Sequence, residues 1–218
     1  MEWTPNLAYA VELITADGCL SKDGRHIDLT SKDIEQIKTF SKILNLKNKI
    51  SLKSSSYSLK NKYYRVQFGR KEFYRFLLEI GLMPNKSKRL GSLKIPGRYF
   101  ADFLRGYLDG DGFTYSYWDK RWKRSFMLYL GFVSASRTYL EWLRDKIGKL
   151  YRVDGVIKWS GKSTYQLIFA KKSSILLLEK MYYHDNVPCL RRKKVKIEKS
   201  LGIINKQAEV AELVYAQP

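Results

Sequence analysis

Cysteine is scarce in this sequence: Cys19 and Cys189 are its only two. No Cys/His spacing fits a zinc site. The two thiols are expected to be reduced, in an intracellular protein. Long apolar runs are absent, so no membrane-spanning helix is expected. Met1–Asn6 lacks the charged and apolar regions of a signal peptide. Acidic residues are in deficit, with 21 Asp and Glu against 41 Lys and Arg, a net charge of +20. The basic residues are spread along the chain rather than gathered on one amphipathic helix, which disfavours a membrane surface. They predict attraction to a polyanion, nucleic acid first. Charge alone leaves a basic scaffold protein open. Hydrophobic residues make up 44% of 218 positions, enough for one large packed unit or two small ones.

What is present is an internal repeat. Tyr64, Phe68, Lys71 and Leu77 recur 101 positions later as Tyr165, Phe169, Lys172 and Leu178. Both segments read as a strand running into a helix. Tyr64, Val66 and Phe68 alternate with Arg65 and Gln67; Tyr165, Leu167 and Phe169 alternate with Thr164 and Gln166. Each strand therefore has one apolar and one polar face. The apolar members Tyr64, Phe68, Tyr165 and Phe169 are expected in the core.

The remaining elements fall into matching order. A short helix over Leu7–Ala16 ends at Asp17-Gly18, and a hairpin turns at Asp23-Gly24. A helix capped by Thr30, Ser31 or Asp33 runs to about Leu44, with Ile34, Ile37, Phe40 and Leu44 on one stripe. Strands near Ile50–Ser55 and Tyr63–Phe68 and a helix over Glu72–Ile80 complete the first unit. Met83–Pro96 reads as a polar, lysine-rich connector. The order then restarts: a helix over Ala101–Gly110, a hairpin over Phe113–Ser134 and a helix over Thr138–Leu150. Strands near Val156–Trp159 and Thr164–Ala170 and a helix over Ser173–Tyr183 follow. Each half, 1–96 and 97–218, reads α-β-β-α-β-β-α in an α+β fold, with a basic tail from Arg191.

Phe103–Gly112 (FLRGYLDGDG) is the most informative stretch. Alone, Asp-Gly-Asp-Gly is a weak signal, common in turns and calcium loops. The helix before it sharpens the signal. Gly106 and Gly110 lie four apart on one helix face, where a partner backbone can approach closely. The partner lies 94 residues earlier, in Ala8–Gly18 (AYAVELITADG), where Asp17 matches Asp111. Two such helices in contact bring Asp17 and Asp111 side by side. Paired carboxylates repel, and the pairing makes sense if divalent cations bind between them. Oxygen ligands without His or Cys favour Mg²⁺, with Mn²⁺ or Ca²⁺ as substitutes.

These motifs, their spacing and the repeated element order resemble the LAGLIDADG homing endonucleases of the monomeric, two-motif type, over nearly the whole chain. The resemblance implies two antiparallel sheets forming a saddle over the major groove of double-stranded DNA, joined at the paired motif helices. It implies a metal-dependent, staggered double-strand break and a setting of intron homing. The acid ending each motif binds metal in that family, which carries over to Asp17 and Asp111. The first motif departs from the pattern: Thr15 matches Asp109, and Glu12 stands where Gly106 stands in the second motif. Glu12, Ala16, Gly106 and Gly110 are expected at the helix interface. A carboxylate there must reach solvent, find a polar partner or be protonated. A third active-site acid is disfavoured, because Glu12 lies more than one helical turn before Asp17.

The family also carries a basic residue in each half of the site. Lys86 and Lys193 match it, with Lys88 and Arg192 as alternatives. The polar strand faces should read DNA. In the first half these are Lys22, Arg25, His26, Asp28, Lys53, Ser55, Arg65 and Gln67. In the second they are Ser116, Trp118, Lys120, Arg121, Lys123, Ser125, Lys158, Lys162 and Gln166. The Tyr115–Trp122 cluster fits packing on the sheet or covering a sugar-phosphate backbone equally well. Two alternatives to an endonuclease remain open: a DNA-binding protein that does not cut, and an RNA maturase on the same fold. One chain carrying both halves is expected to act as a monomer.

Overall fold

The computed structural model describes residues 1–55, 58–123, 125–161 and 163–215; at 54–55, 58–62 and 208–215 only the backbone course is described. The chain starts with helix α1 (Pro5–Asp17). Thr4 caps it, its Oγ1 accepting from the Leu7 amide at 3.1 Å, and Pro5 takes the first turn, where no backbone donor is needed. Every residue from Leu7 to Thr15 is buried. A helix buried on all sides belongs at the centre of a structure, and α1 lies there.

Strands β1 (Gly18–Leu20) and β2 (His26–Ser31) form the first hairpin, followed by α2 (Ile34–Ile43), β3 (Ser51–Ser55), β4 (Ser58–Gly69) and α3 (Lys71–Glu79). A 3-10 turn at Gly97–Tyr99 leads into α4 (Phe100–Asp109). The pattern repeats as β5 (Gly112–Trp118), β6 (Phe126–Ser134), α5 (Arg137–Tyr151), β7 (Val156–Gly161), β8 (Thr164–Phe169) and α6 (Lys171–Met181). A long helix, α7 (Arg191–Tyr215), closes the chain. The two sheets are antiparallel with matching orders, β1-β2-β4-β3 and β5-β6-β8-β7. The expected α+β architecture of two alike halves is the one observed.

Strand alternation builds the core. Ile27, Leu29, Val66 and Phe68 of the first sheet turn inward, as do Leu128, Leu130, Phe132, Leu167 and Phe169 of the second. Tyr64 and Tyr165 pack at its margin. Arg105 is fully buried in α4. Its guanidinium pairs with Asp102 at 2.7 Å and donates to the carbonyls of Met181 and Pro188 at 2.7 and 2.8 Å. The charge is thus fully partnered, as a buried guanidinium must be, and it ties α4 to α6 and the segment beyond.

Two local expectations are corrected. The connector 83–96 is not merely polar: Leu90, Leu93 and Ile95 enter the core, and charged neighbours hid that spacing. Helix α6 starts two residues before the expected Ser173, because the chain turns directly out of β8 at Ala170. Of the three cap candidates for α2, Asp33 holds the position without a side-chain cap bond. Its carboxylate is bound instead by Arg192 of α7, at 2.7 Å.

Candidate active site and nucleic-acid interface

Helices α1 and α4 pack against each other more closely than any other pair of helices described. The contact is possible because two positions lack side chains. A Cβ on Gly106 would stand 2.6 Å from the Tyr9 carbonyl oxygen and 3.0 Å from Glu12 Cβ. One on Gly110 would stand 2.6 Å from Ala16 Cβ and 3.4 Å from an oxygen of Asp17. The positions Glu12 and Gly106, and Ala16 and Gly110, therefore face each other across the contact. Both helices end where the chain folds back: a Cβ on Gly18 would meet Ile14 Cα at 2.7 Å, and one on Gly112 would collide with Leu108 Cα.

This packing sets Asp17 and Asp111 at neighbouring helix ends. Asp17 has its pKa raised to about 6, by burial first and by repulsion from Asp111 second; Gln36 and the two lysines oppose the shift. Asp111 reaches solvent more fully, yet the surrounding protein raises its pKa too, against the pull of Lys193 and Lys86. Among the described residues no three His, Cys, Asp or Glu side chains converge. The donor set is an oxygen-only pair, which suits a hard divalent cation completing its shell with water and phosphate oxygens.

Each motif end is held by one lysine. Lys86 Nζ is buried and donates to the Gly18 carbonyl. Lys193 Nζ donates to the carbonyls of Leu108 at 2.5 Å, Gly112 at 2.8 Å, Asp109 at 3.0 Å and Gly110 at 3.3 Å. Gly18 and Gly112 are matching positions of the repeat, so the two lysines do matching work. Burial lowers the pKa of both, and the nearby acids oppose that shift. The alternatives Lys88 and Arg192 fall elsewhere: Lys88 is exposed, and Arg192 is paired with Asp33.

Glu12 does not reach solvent. It is fully buried, and Tyr139 Oη lies 3.1 Å from both of its carboxylate oxygens. Burial raises its pKa well above the ordinary 4.5. It lines a cavity of about 240 Å³ together with Thr15, Lys86, Asp111 and Tyr139. The helical-turn argument kept it away from Asp17 but did not foresee Asp111 and Lys86 arriving from other elements. Asp109, the other motif acid, serves the structure, accepting from Tyr9 Oη at 2.8 Å and from the Leu190 amide at 2.7 Å. Its counterpart Thr15 bonds the Val11 carbonyl of its own helix.

Two neighbours of the acids were not foreseen. Gln36 donates to Asp17 at 3.3 Å while its oxygen accepts from Ser31 at 2.7 Å. Gln36 and Tyr139 both stand three residues after a helix cap, Asp33 and Ser136. That shared offset was the available signal.

On the sheet faces, His26, Asp28, Arg65 and Gln67 lie on the polar, outward side of the first sheet. Asp28 and Arg65 form an ion pair at 2.5 Å there. Lys22 and Arg25 are exposed at the hairpin tip, and Lys53 is exposed on β3. In the second half Lys120, Arg121, Lys123 and Lys158 are exposed, Ser125 sits beside the tip, and Gln166 faces outward. Ser116 and Trp118 are corrections: they lie on the opposite face of β5 from Tyr115 and Tyr117. Ser116 is turned toward α7, while Trp118, at the strand end, stays 49% exposed. Ser116 Oγ is 3.1 Å from Ser200 Oγ of α7, and Trp118 packs edge-on against Phe126. Their places outward are taken by Tyr115 and Tyr117. Lys162 lies outside the described residues, as does the side chain of Ser55.

Two like halves, each a four-stranded sheet backed by helices, meeting at paired helices that end in acids, define a two-motif protein of the LAGLIDADG fold. Residues 5–81 match the model of the LAGLIDADG-like domain. The homing endonuclease I-WcaI bound to its DNA recognition sequence shares the fold, with TM-score 0.61 and 15% identity over 89% of this chain and 88% of its own. Mesophilic variants of the homing endonuclease I-DmoI give 0.56 and 18%, over 85% of this chain and 94% of theirs. Full-length DUF199/WhiA from Thermatoga maritima gives 0.60 and 14%, over 99% of this chain and 68% of its own. No curated protein sequence is significantly similar to this chain. No helix among the described residues is long and apolar enough to cross a membrane.

Proposed function

We propose that this chain is a site-specific endonuclease that binds a long DNA duplex and breaks both strands with staggered ends. The observation that carries the reading is the pairing of Asp17 with Asp111 at adjoining helix ends, each end held by its own lysine. Asp17 and Asp111 would hold a divalent cation, which when bound supplies Lewis-acid stabilisation and an activated water for phosphodiester hydrolysis. Mg²⁺ is the proposed ion; complexes of I-DmoI with DNA hold Mn or Ca. Lys86 and Lys193 add positive charge beside the acids, where charge develops on a phosphate under attack. Gln36 orients Asp17. The outward strand residues and the +20 charge supply binding. A single chain supplies both halves, so the acting species is a monomer.

A second reading is a duplex-binding protein without cleavage, on a fold shared with DUF199/WhiA over 99% of this chain. The test is incubation with a randomised duplex library and Mg²⁺, then sequencing of the cut ends. One recurrent site with a fixed stagger supports the endonuclease. Enrichment of bound sequences without any Mg²⁺-dependent ends supports the second reading.

A further inference from the structure

The outward faces of the two sheets differ in chemistry. In the first, His26, Asp28 and Thr30 of β2 adjoin Gly69, Gln67 and Arg65 of β4, a surface of donors and acceptors. In the second, Phe113, Tyr115 and Tyr117 of β5 pair with Gly131, Tyr129 and Met127 of β6, and Val156 pairs with Ile168 beyond. Tyr115 and Tyr117 are 39% and 44% exposed, although they are large and aromatic. The face is continuous with the active site, since Phe113 lies two residues after Asp111. Gly131 leaves room for the Phe113 ring to lie flat on the sheet; any Cβ there would collide with it.

The tyrosines form a ladder. Tyr115 and Tyr129 stack with centroids 4.7 Å apart and planes 9° apart. Tyr117 lies 6.3 Å from Tyr115 and 6.2 Å from Tyr129, within 4° and 9° of parallel. The faces of Tyr115 and Tyr129 are turned to each other. A platform for unstacked bases needs open ring faces; in this ladder Tyr115 and Tyr129 cover one face of each other. Lys158 and Gln166, in register on the same face, and the exposed Lys120, Arg121 and Lys123 at the hairpin tip rim it with positive charge.

In the major groove of duplex DNA the one apolar group is the thymine C5 methyl. Every base pair presents donors and acceptors there, which lose water against aromatic carbon, and only A·T pairs offset that loss with a methyl contact. RNA lacks that methyl, and its major groove is too deep and narrow for side chains. We propose that the Tyr115–Tyr117–Tyr129 ladder, with Phe113 and Met127, reads the half-site on its side of the duplex through thymine methyls and tyrosine hydroxyls. That half-site is therefore A·T-rich, while the first sheet reads the other half by hydrogen bonds. The inference rests on the duplex-binding reading above, not on cleavage.

The test uses the full chain and a randomised duplex library selected for binding without metal. In the enriched site each thymine is replaced by deoxyuridine, which removes only the methyl. Thymines should be enriched in one half only, and deoxyuridine there should weaken binding about fourfold per contacted thymine. Tyr115→Ser and Tyr129→Ser should shrink that penalty. Tyr115→Phe, which keeps the ring edge, should retain it, as should Arg65→Ala in the other sheet. Specific duplex binding with equal affinity for thymine and deoxyuridine overturns the inference alone. Tighter binding of single-stranded DNA or of RNA with the same sequence overturns it in favour of a stacking surface. Absence of any specific duplex binding overturns the functional reading with it.

Discussion

Tyr139 holds Glu12: its hydroxyl lies 3.1 Å from both oxygens of a fully buried carboxyl. Tyr139 is the positional counterpart of Gln36, which bonds Asp17. The second half has thus turned the same position from a motif acid to the odd residue of the first motif. Burial holds the Glu12 pKa well above 4.5 in the folded chain. Below about that pH the carboxyl is neutral in both states and costs nothing. As pH rises the unfolded chain ionises first, so stability falls until the folded pKa is passed. Glu12→Gln should therefore be more stable than the parent, with a gap in melting temperature that widens from pH 4.5 to pH 8. Glu12→Ala strands the buried Tyr139 hydroxyl and should lose about 1–3 kcal/mol. A gap that narrows with rising pH would show Glu12 to be ionised in the fold.

Asp17→Asn and Asp111→Asn should each abolish Mg²⁺-dependent cleavage, because cation binding needs the ionised carboxylate, and leave duplex affinity within about twofold. Both changes also relieve the repulsion within the pair. With Asp17 raised to about 6 from 3.8, its unfavourable contribution grows between those values and is complete above them. Asp17→Asn should therefore melt above the parent at pH 7.5. Cleavage at the parental rate by either variant would show the acids to be misassigned.

Lys86→Met and Lys193→Met should slow cleavage without abolishing it, by about 10²–10³-fold, the scale of losing one charge-stabilising donor. Lys86 also lowers the Asp17 pKa, so its removal should move the acid limb of the pH–rate profile upward. Lys88→Met, altering an exposed side chain, should change neither rate nor profile.

The ion pair of Arg192 with Asp33 joins α7 to the first half at the surface, with side chains 59% and 27% exposed. Arg192→Ala should cost no more than about 1 kcal/mol in urea unfolding and leave the cleavage rate alone. A collapse of activity in this variant, with Lys193→Met benign, would exchange the roles of the two neighbours.

Binding should weaken steeply with salt. Each neutralised phosphate contributes a slope of about −0.9 in log K against log[salt], and a +20 chain on a long duplex should show a slope magnitude of at least roughly 5. Light scattering of the same complex should find one chain per duplex.

The sequence by itself determined the local elements and their repetition. Period-2 alternation in β4 and β8 sorted core from surface at Tyr64 to Phe68 and Tyr165 to Phe169, because side chains on a strand must alternate. Spacing placed Asp17 and Asp111 at matching helix ends, and the Gly106–Gly110 pair marked the face where α1 approaches. What joins residues far apart in the chain was decided only by tertiary packing. Lys86 and Lys88 are alike in composition and nearly adjacent, yet one is buried against Gly18 and the other is exposed. Ser116 and Tyr115 differ by one step in β5, and that step sends one to α7 and the other to the outward ladder. Polar residues suggested the outward side of that strand. With α7 covering the inward face, the small polar Thr114 and Ser116 face inward and the aromatics face out. Glu12 met Tyr139 across 127 residues. No local period encodes such a meeting, because it depends on which helix faces converge once both halves are packed.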